Sequence, residues 1–151
     1  LGFHPAGSIG HLPAAMQHTY IQSNEPYGHL ENLLRNALRA RGEQVSTTYG
    51  DTDAVLDIVN HSLERRVLAV NARGQPLQYQ LVYHVKFRLL DKTGKELLAP
   101  TILKVQRQLA YSVTNALGTD SRQRSLVGNM QREASRLILL RLEALDRRHL
   151  Q

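Results

Sequence analysis

The 151 residues carry a formal charge of +6, from 19 Lys and Arg against 13 Asp and Glu, and include no cysteine and no tryptophan. A chain of this length can bury a core of ordinary size, and with aromatics at only 5% that core must be aliphatic. The lack of cysteine excludes disulfides, thiolate metal sites and thiol catalysis, and no apolar run approaches the roughly 18 residues that a membrane-spanning helix needs.

The charge is uneven. Residues 1–63 hold three arginines against six acids, residues 64–107 nine bases against three acids, and residues 121–151 seven arginines against three acids. The basic part therefore begins near Arg65. Such asymmetry points to an anionic partner (nucleic acid, acidic protein or phosphorylated lipid) or to a basic surface that serves only solubility.

In chain order, residues 1–15 are rich in Gly and Pro and predict an extended leader. Met16 to Ile21 predicts a short strand. Ser23-Asn24-Glu25-Pro26 is a helix-start signal, with Ser23 or Asn24 as cap. Leu30, Leu33, Leu34, Ala37 and Leu38 then recur at helical spacing, and Gly42 suits a left-handed C-terminal cap. Ala54 to Val59 predicts a strand whose pattern resumes at Val67 to Val70. After a turn at residues 71–76, odd positions from Leu77 to Leu89 are all apolar or Tyr, while Gln78, Gln80, Val82, His84, Lys86 and Arg88 lie between them. One face of that strand should be buried and the other wet. Asp91-Lys92-Thr93-Gly94-Lys95 predicts a hairpin turn, and Leu97 to Tyr111 the returning strand, with Pro100 marking an edge or a bulge. Residues 112–121 look like a loop. A helix should follow from about Ser121 to Leu145, with a stripe of Val127, Met130, Ala134, Leu137, Ile138 and Leu145. The expected fold is α+β, an α/β arrangement of order β-α-β-β-β-α, with two helices packed on one face of a four-stranded mixed sheet. It would occupy residues 16–147, leaving 148–151 as a tail.

Catalytic signatures are lacking. Seven histidines (His4, His11, His18, His29, His61, His84, His149) show no zinc-motif spacing, so no metal and no cofactor is expected. Asp51, Asp53 and Asp57 straddle a loop and a strand. No Gly-x-Ser-x-Gly elbow occurs, and Thr93-Gly94-Lys95-Glu96 lacks the surrounding residues of a phosphate loop. Gly7-Ser8-Ile9-Gly10 has the spacing of a KH loop without the preceding helix. Tyr79, Tyr83 and Phe87 fall on the apolar face and read as core. A basic face remains: Lys86, Arg88 and Lys104 on the wet side, and Arg73 at the adjoining turn. Arg107 breaks an apolar register, so either a bulge turns it outward or it serves an acidic ligand. Fixed cations on a sheet can bind phosphate or carboxylate.

Taken in order, several short motifs resemble one family. They are Gly2-Phe3-His4, Pro13-x-x-Met16, Asn24-Glu25-Pro26-Tyr27-Gly28-x-Leu30, Leu38-Arg39-x-x-Gly42, Arg73-Gly74-Gln75 before Tyr79-Gln80, Lys104-Val105-x-Arg107, and Met130, Ala134 and Leu142 in the last helix. Together they resemble the lipopolysaccharide-assembly lipoprotein family LptE, formerly rare lipoprotein B, over nearly the whole chain. The resemblance implies a non-enzymatic outer-membrane lipoprotein on the periplasmic side that plugs the LptD β-barrel one-to-one and binds lipopolysaccharide. Leu1 stands where the family carries its lipid-bearing Cys, so the anchor is expected to be absent from this chain. One family lipopolysaccharide contact falls on Arg73. A second, a Lys in the loop before the last helix, falls near Thr119, and Arg122 and Arg124 are the candidates to replace it. The rival reading is a basic cytoplasmic nucleic-acid-binding module, which predicts steeply salt-dependent binding.

Overall fold

A computed structural model describes residues 11–149, with side chains through residue 146. The elements are β1 (His18–Ser23), α1 (His29–Ala40), β2 (Gln44–Ser46), β3 (Ala54–Val70), β4 (Pro76–Asp91), β5 (Glu96–Ala110) and α2 (Ala116–His149). The sheet has five strands in the order β2-β1-β3-β4-β5, one more than expected. The extra strand, β2, is three residues long and pairs parallel with β1. A run that short carries too few alternations to show a period. The predicted leader and first strand also shift. Ala14–Gln17 form a 3-10 turn whose Met16 is fully buried, and the strand begins only at His18.

β1 pairs parallel with β3 over Ala54–Ile58, and β3, β4 and β5 form an antiparallel meander. The two apolar segments of β3 are one continuous strand. Its polar middle, Glu64-Arg65-Arg66, is the part that extends past β1, where β3 has no second neighbour among the described residues. Charge at such a position blunts an open edge. Pro100 is both at the edge and in a bulge: β5 is outermost, and Arg88 alone faces the two residues Ala99 and Pro100. The missing Pro amide is harmless there.

Alternation along β4 sorts the side chains. Tyr79, Leu81, Tyr83, Val85, Phe87 and Leu89 are buried beneath the helices with Ile21, Leu56, Ile58, Val105 and Leu109. Leu77, the first position of the pattern, lies beyond the helices and is exposed. α1 contributes Leu30, Leu34 and Leu38, and α2 contributes Met130, Ala134, Ile138, Leu142 and Leu145.

The helix ends differ instructively from expectation. Ser23 does not cap α1: its hydroxyl accepts the Glu25 amide, and Gly28 takes the cap position. Gly42, at φ 86°, ends the helix as expected, and the Glu43 amide returns to the Leu38 carbonyl. α2 starts five residues before Ser121. Asn115 accepts the Gly118 amide at 3.0 Å, as an N-cap does. Between the helices, Arg41 Nε donates to Glu143 Oε1 at 3.0 Å, and Glu143 is almost completely buried.

Leu34→Ala should cost about 2–5 kcal/mol in urea unfolding, while exposed Asn36→Ala should stay within about 0.5 kcal/mol. Arg41→Ala strands a buried carboxylate and should cost about 3 kcal/mol. The pair Arg41→Met with Glu143→Leu should recover most of that loss, because the uncompensated charge is gone.

Candidate anion-binding surface

The predicted cations separate into three places. Lys86, Arg88 and Lys104 lie on the sheet face turned away from the helices. Cross-strand pairing sets His84 beside Lys104 and Lys86 beside Ile102. Lys86 and Lys104 are exposed, and Lys86 joins Asn60, Ser62, Glu64, His84 and Ile102 around a shallow depression. Arg88 is occupied within the molecule. Its Nε donates to Asp57 at 2.8 Å, with Glu96 at 3.6 Å from the same guanidinium. Asp57 is buried, so Arg88 chiefly compensates that carboxylate, whose hydrogen bond also raises the guanidinium's pKa. On the same face Arg66 grips Glu64 with two nitrogens, at 2.7 and 3.0 Å, and His84 approaches that carboxylate at 3.3 Å. The bonds from Arg66 and then His84 hold Glu64 below the usual carboxylate range.

Arg107 is on the other face. Register is unbroken from Phe87 to Gln78 and from Thr101 to Ala110, so no bulge turns Arg107 outward. It pairs with Leu81, on the side that carries the helices. Its charge acts on Glu133 of α2, a carboxylate lowered first by its hydrogen bond to Arg136. Arg65 shares this row across Leu81, lies 4.3 Å over the Tyr79 ring and donates to Gln123. Geometry therefore does not unite Arg107 with Lys86 and Lys104.

Arg73 sits at the tip of the β3–β4 hairpin. Asn71 Oδ1 accepts the amides of Arg73 and Gln75, and Gly74 takes φ 76°. An Asx-type turn with glycine at the left-handed position gives a defined platform. The ion pairs among the described residues leave Arg73 without an acidic partner. On the strand ends leading into this turn, Val67, Leu68, Val70 and Leu77 are each about half exposed. The chain after β5 is fastened to the same end: the Tyr111 amide donates to Leu77, and Tyr111 packs edge-on against Tyr79. Exposed Val113 and Leu117 follow.

The predicted loop at 112–121 is instead a 3-10 turn, Val113–Asn115, and the first turns of α2. Thr119 is buried in α2, donating to the Asn115 carbonyl and accepting the Ser112 amide. Arg122 binds Thr119 Oγ1 at 3.1 Å and the Ala110 carbonyl at 3.3 Å, which clamps β5 to α2. Arg124 lines a separate hollow with His29, Asp120, Gln123, Val127, Gly128 and Gln131. Leu1 lies outside the described residues.

Reading for motifs misses a polar cluster under α1. Glu31 is fully buried, accepts the Ser23 hydroxyl at 2.5 Å and lies 3.3 Å from His61 Nε2. His61 Nδ1 is 2.8 Å from the Tyr83 hydroxyl, and Glu25 reaches His61 Nε2 at 3.6 Å. A charged residue next to Leu30 in the apolar stripe was the available signal; its partner 30 positions later carries none.

The chain matches the family model described as LptE, lipopolysaccharide-assembly, over residues 16–142. It is 24% identical to the LPS-assembly lipoprotein LptE of Photorhabdus laumondii, across 93% of this chain and 76% of that protein. Its fold is similar to that of lipoprotein B from Nitrosomonas europaea, at a TM-score of 0.78 and 25% identity over 97% of this chain and 93% of that one. Rare lipoprotein B from Shewanella oneidensis is similar at a TM-score of 0.76 and 23% identity, over 89% of this chain and 99% of that one.

Tyr83 supplies a test of this arrangement. Burial, opposed by a hydrogen bond from Gln131 and aided by the charges of Glu31 and Glu25, lifts its phenol from 10.0 to about 12. A raised phenol pKa favours the neutral form in the folded state. Its contribution is whole below pH 10 and disappears as pH rises through about 12. Alkaline absorbance titration should show a late-ionising tyrosine component, and Tyr83→Phe should remove it. A wild-type titration without that late component would contradict the packing described.

Proposed function

We propose, from the premise that this chain belongs to the LptE lipopolysaccharide-assembly family, that it binds lipopolysaccharide through the hairpin tip and plugs the LptD barrel one-to-one. Arg73 on its hydrogen-bonded turn, at the end of a hairpin whose strands leave Val67, Leu68, Val70 and Leu77 half exposed, carries this reading. Lipid A presents phosphates next to acyl chains, and a ligand of that kind needs a cation and apolar surface side by side. A guanidinium suits phosphate through paired N–H donors. Lys86 and Lys104 extend the positive field along the sheet towards incoming anions. Arg88, Arg107 and Arg122 support the scaffold, and Arg124 is peripheral.

The action requires no bond chemistry. Phosphate contacts made by the protein compete with the cation bridges that hold lipopolysaccharide aggregates together, while the folded body fills the barrel lumen. The working location is the periplasmic side of the outer membrane, with a lipid anchor at the N-terminus of the native lipoprotein. The family match favours this reading over nucleic-acid binding, which no described arrangement of stacking aromatics supports.

Arg73→Glu combined with Lys104→Glu should weaken lipopolysaccharide binding at least about tenfold, a loss of roughly 1.4 kcal/mol, with unchanged thermal unfolding. Both side chains are exposed, so the fold should tolerate the reversal. Equal binding by wild type and double variant at low salt would exclude the tip as the contact. Co-expression with the LptD barrel should yield a stable one-to-one complex, and its absence would defeat the plug assignment.

A further inference from the structure

We propose that Glu25, Glu31 and His61 form a divalent-cation site of the kind zinc occupies, at the junction of the β1–α1 loop, α1 and β3. One ligand atom from each lies within 4.8 Å of the others. His61 Nε2 is 3.3 Å from Glu31 Oε2 and 3.6 Å from Glu25 Oε2. With zinc–nitrogen and zinc–oxygen bonds of about 2.0–2.1 Å, tetrahedral ligand atoms stand about 3.3–3.4 Å apart. The observed spacings are those of ligands already near a common centre.

A second observation is independent of this spacing. Glu31 is fully buried, and its Oε1 has no hydrogen-bond partner. A buried carboxylate that stays ionised needs a cation beside it. Among the described residues no Lys or Arg pairs with it; His61 is its sole ionic neighbour. A divalent ion with two carboxylates and a neutral imidazole is electrically balanced, and one atom from each with a water makes four ligands. Gly28 makes room for Glu31 Oε1, since a Cβ there would collide with it.

The surroundings suit a metal-bound imidazole. Zinc on Nε2 leaves the proton on Nδ1, which then donates to the Tyr83 hydroxyl at 2.8 Å. Such an outer partner fixes the tautomer and ring orientation of a ligating histidine. Ser23 similarly orients Glu31. Glu25 is mostly exposed, so it provides the route for the ion and leaves a coordination position for water. The preference for zinc over magnesium or calcium follows from the imidazole nitrogen. The ion would tie the loop before α1 to β3.

The site is separate from the hairpin tip. His61 and Val70 are nine residue steps apart along β3, roughly 30 Å at strand rise, so it goes beyond the lipopolysaccharide reading and does not depend on it.

The whole chain, stripped with EDTA, is titrated with zinc chloride by calorimetry and with cobalt(II) by visible absorption. Wild type should bind one equivalent at this site, give the intense cobalt bands of a four-coordinate site, and melt at a higher temperature when loaded. His61→Asn and Glu25→Gln should each lose that equivalent or weaken it at least about tenfold. His18→Asn, which removes the solvent-exposed His18–Asp53 pair, should change nothing. Glu25 is exposed, so Glu25→Gln tests the ligand set without endangering the fold. Absence of zinc uptake by wild type, as expected if His61 merely forms ion pairs, overturns the proposal. So does uptake that survives His61→Asn or Glu25→Gln.

Discussion

Antiparallel pairing of β4 between β3 and β5 is the constraint on which most other positions depend. β4 is the one strand of the meander with a long partner on both sides. Because side chains alternate, its register decides for three strands which residues meet the helices and which meet the exterior. Tyr83 fixes Leu63 and Val105 on the helix side; His84 fixes Ser62 and Lys104 on the other. A slip of one residue would expose Leu81, Val85 and Phe87 and bury Lys86. Register shifts at the ends of the meander leave its central part continuous, and two lie beside the core. One is at Val59 in β3, the other at Ala99–Pro100 in β5, and both flank the buried pair Ile58 and Phe87.

This constraint also explains which features were legible in sequence. β4 could be read because every second residue obeys one environment, and the α1 stripe because Leu30, Leu34 and Leu38 obey one helical face. β2 could not, since its three residues owe their strand state to β1. The start of α2 was hidden because its cap, Asn115, precedes Gly118 and Thr119, residues that suggest a loop when seen without the hydrogen bonds they make. Arg107 was legible as an exception, though its resolution required the register opposite Leu81. Arg73 was legible as a turn residue. The apolar company it keeps arises from three separate segments and could not be assembled from periodicity.

Counting positive charge overstates the surface available to an anion. Arg41 belongs to Glu143, Arg66 to Glu64, Arg88 to Asp57 and Arg136 to Glu133, each within 3.0 Å. These arginines hold elements together or neutralise nearby carboxylates, and an external phosphate must compete with a partner already in place. The exposed pairs among them, Arg66–Glu64 and Arg136–Glu133, contribute little to stability on their own, but all four remove charge from the outer field. Among the cations that remain are Lys86 and Lys104 on the open sheet face and Arg73 at the end of the hairpin. A high net charge thus resolves into a few cations whose neighbours, and not their number, define the ligand.

Those neighbours differ in a way that separates the two ends of β3. Towards the tip, Val67, Leu68 and Val70 are left half exposed on the strand that leads to an exposed Arg73, a combination that under the proposed function suits an amphipathic anion. Near the middle, His61 faces a buried carboxylate, which favours a small cation and excludes anything larger. The same strand carries both because only its first part is covered by β1 and the helices, while the rest extends beyond them. Covering a polar group makes its pairing compulsory, so the middle of β3 is rigidly specified. Leaving apolar side chains uncovered has the opposite effect, since their burial is deferred until a partner arrives. The length of β3 beyond β1 is therefore what sets a covered, specified centre and an uncovered apolar end on one strand.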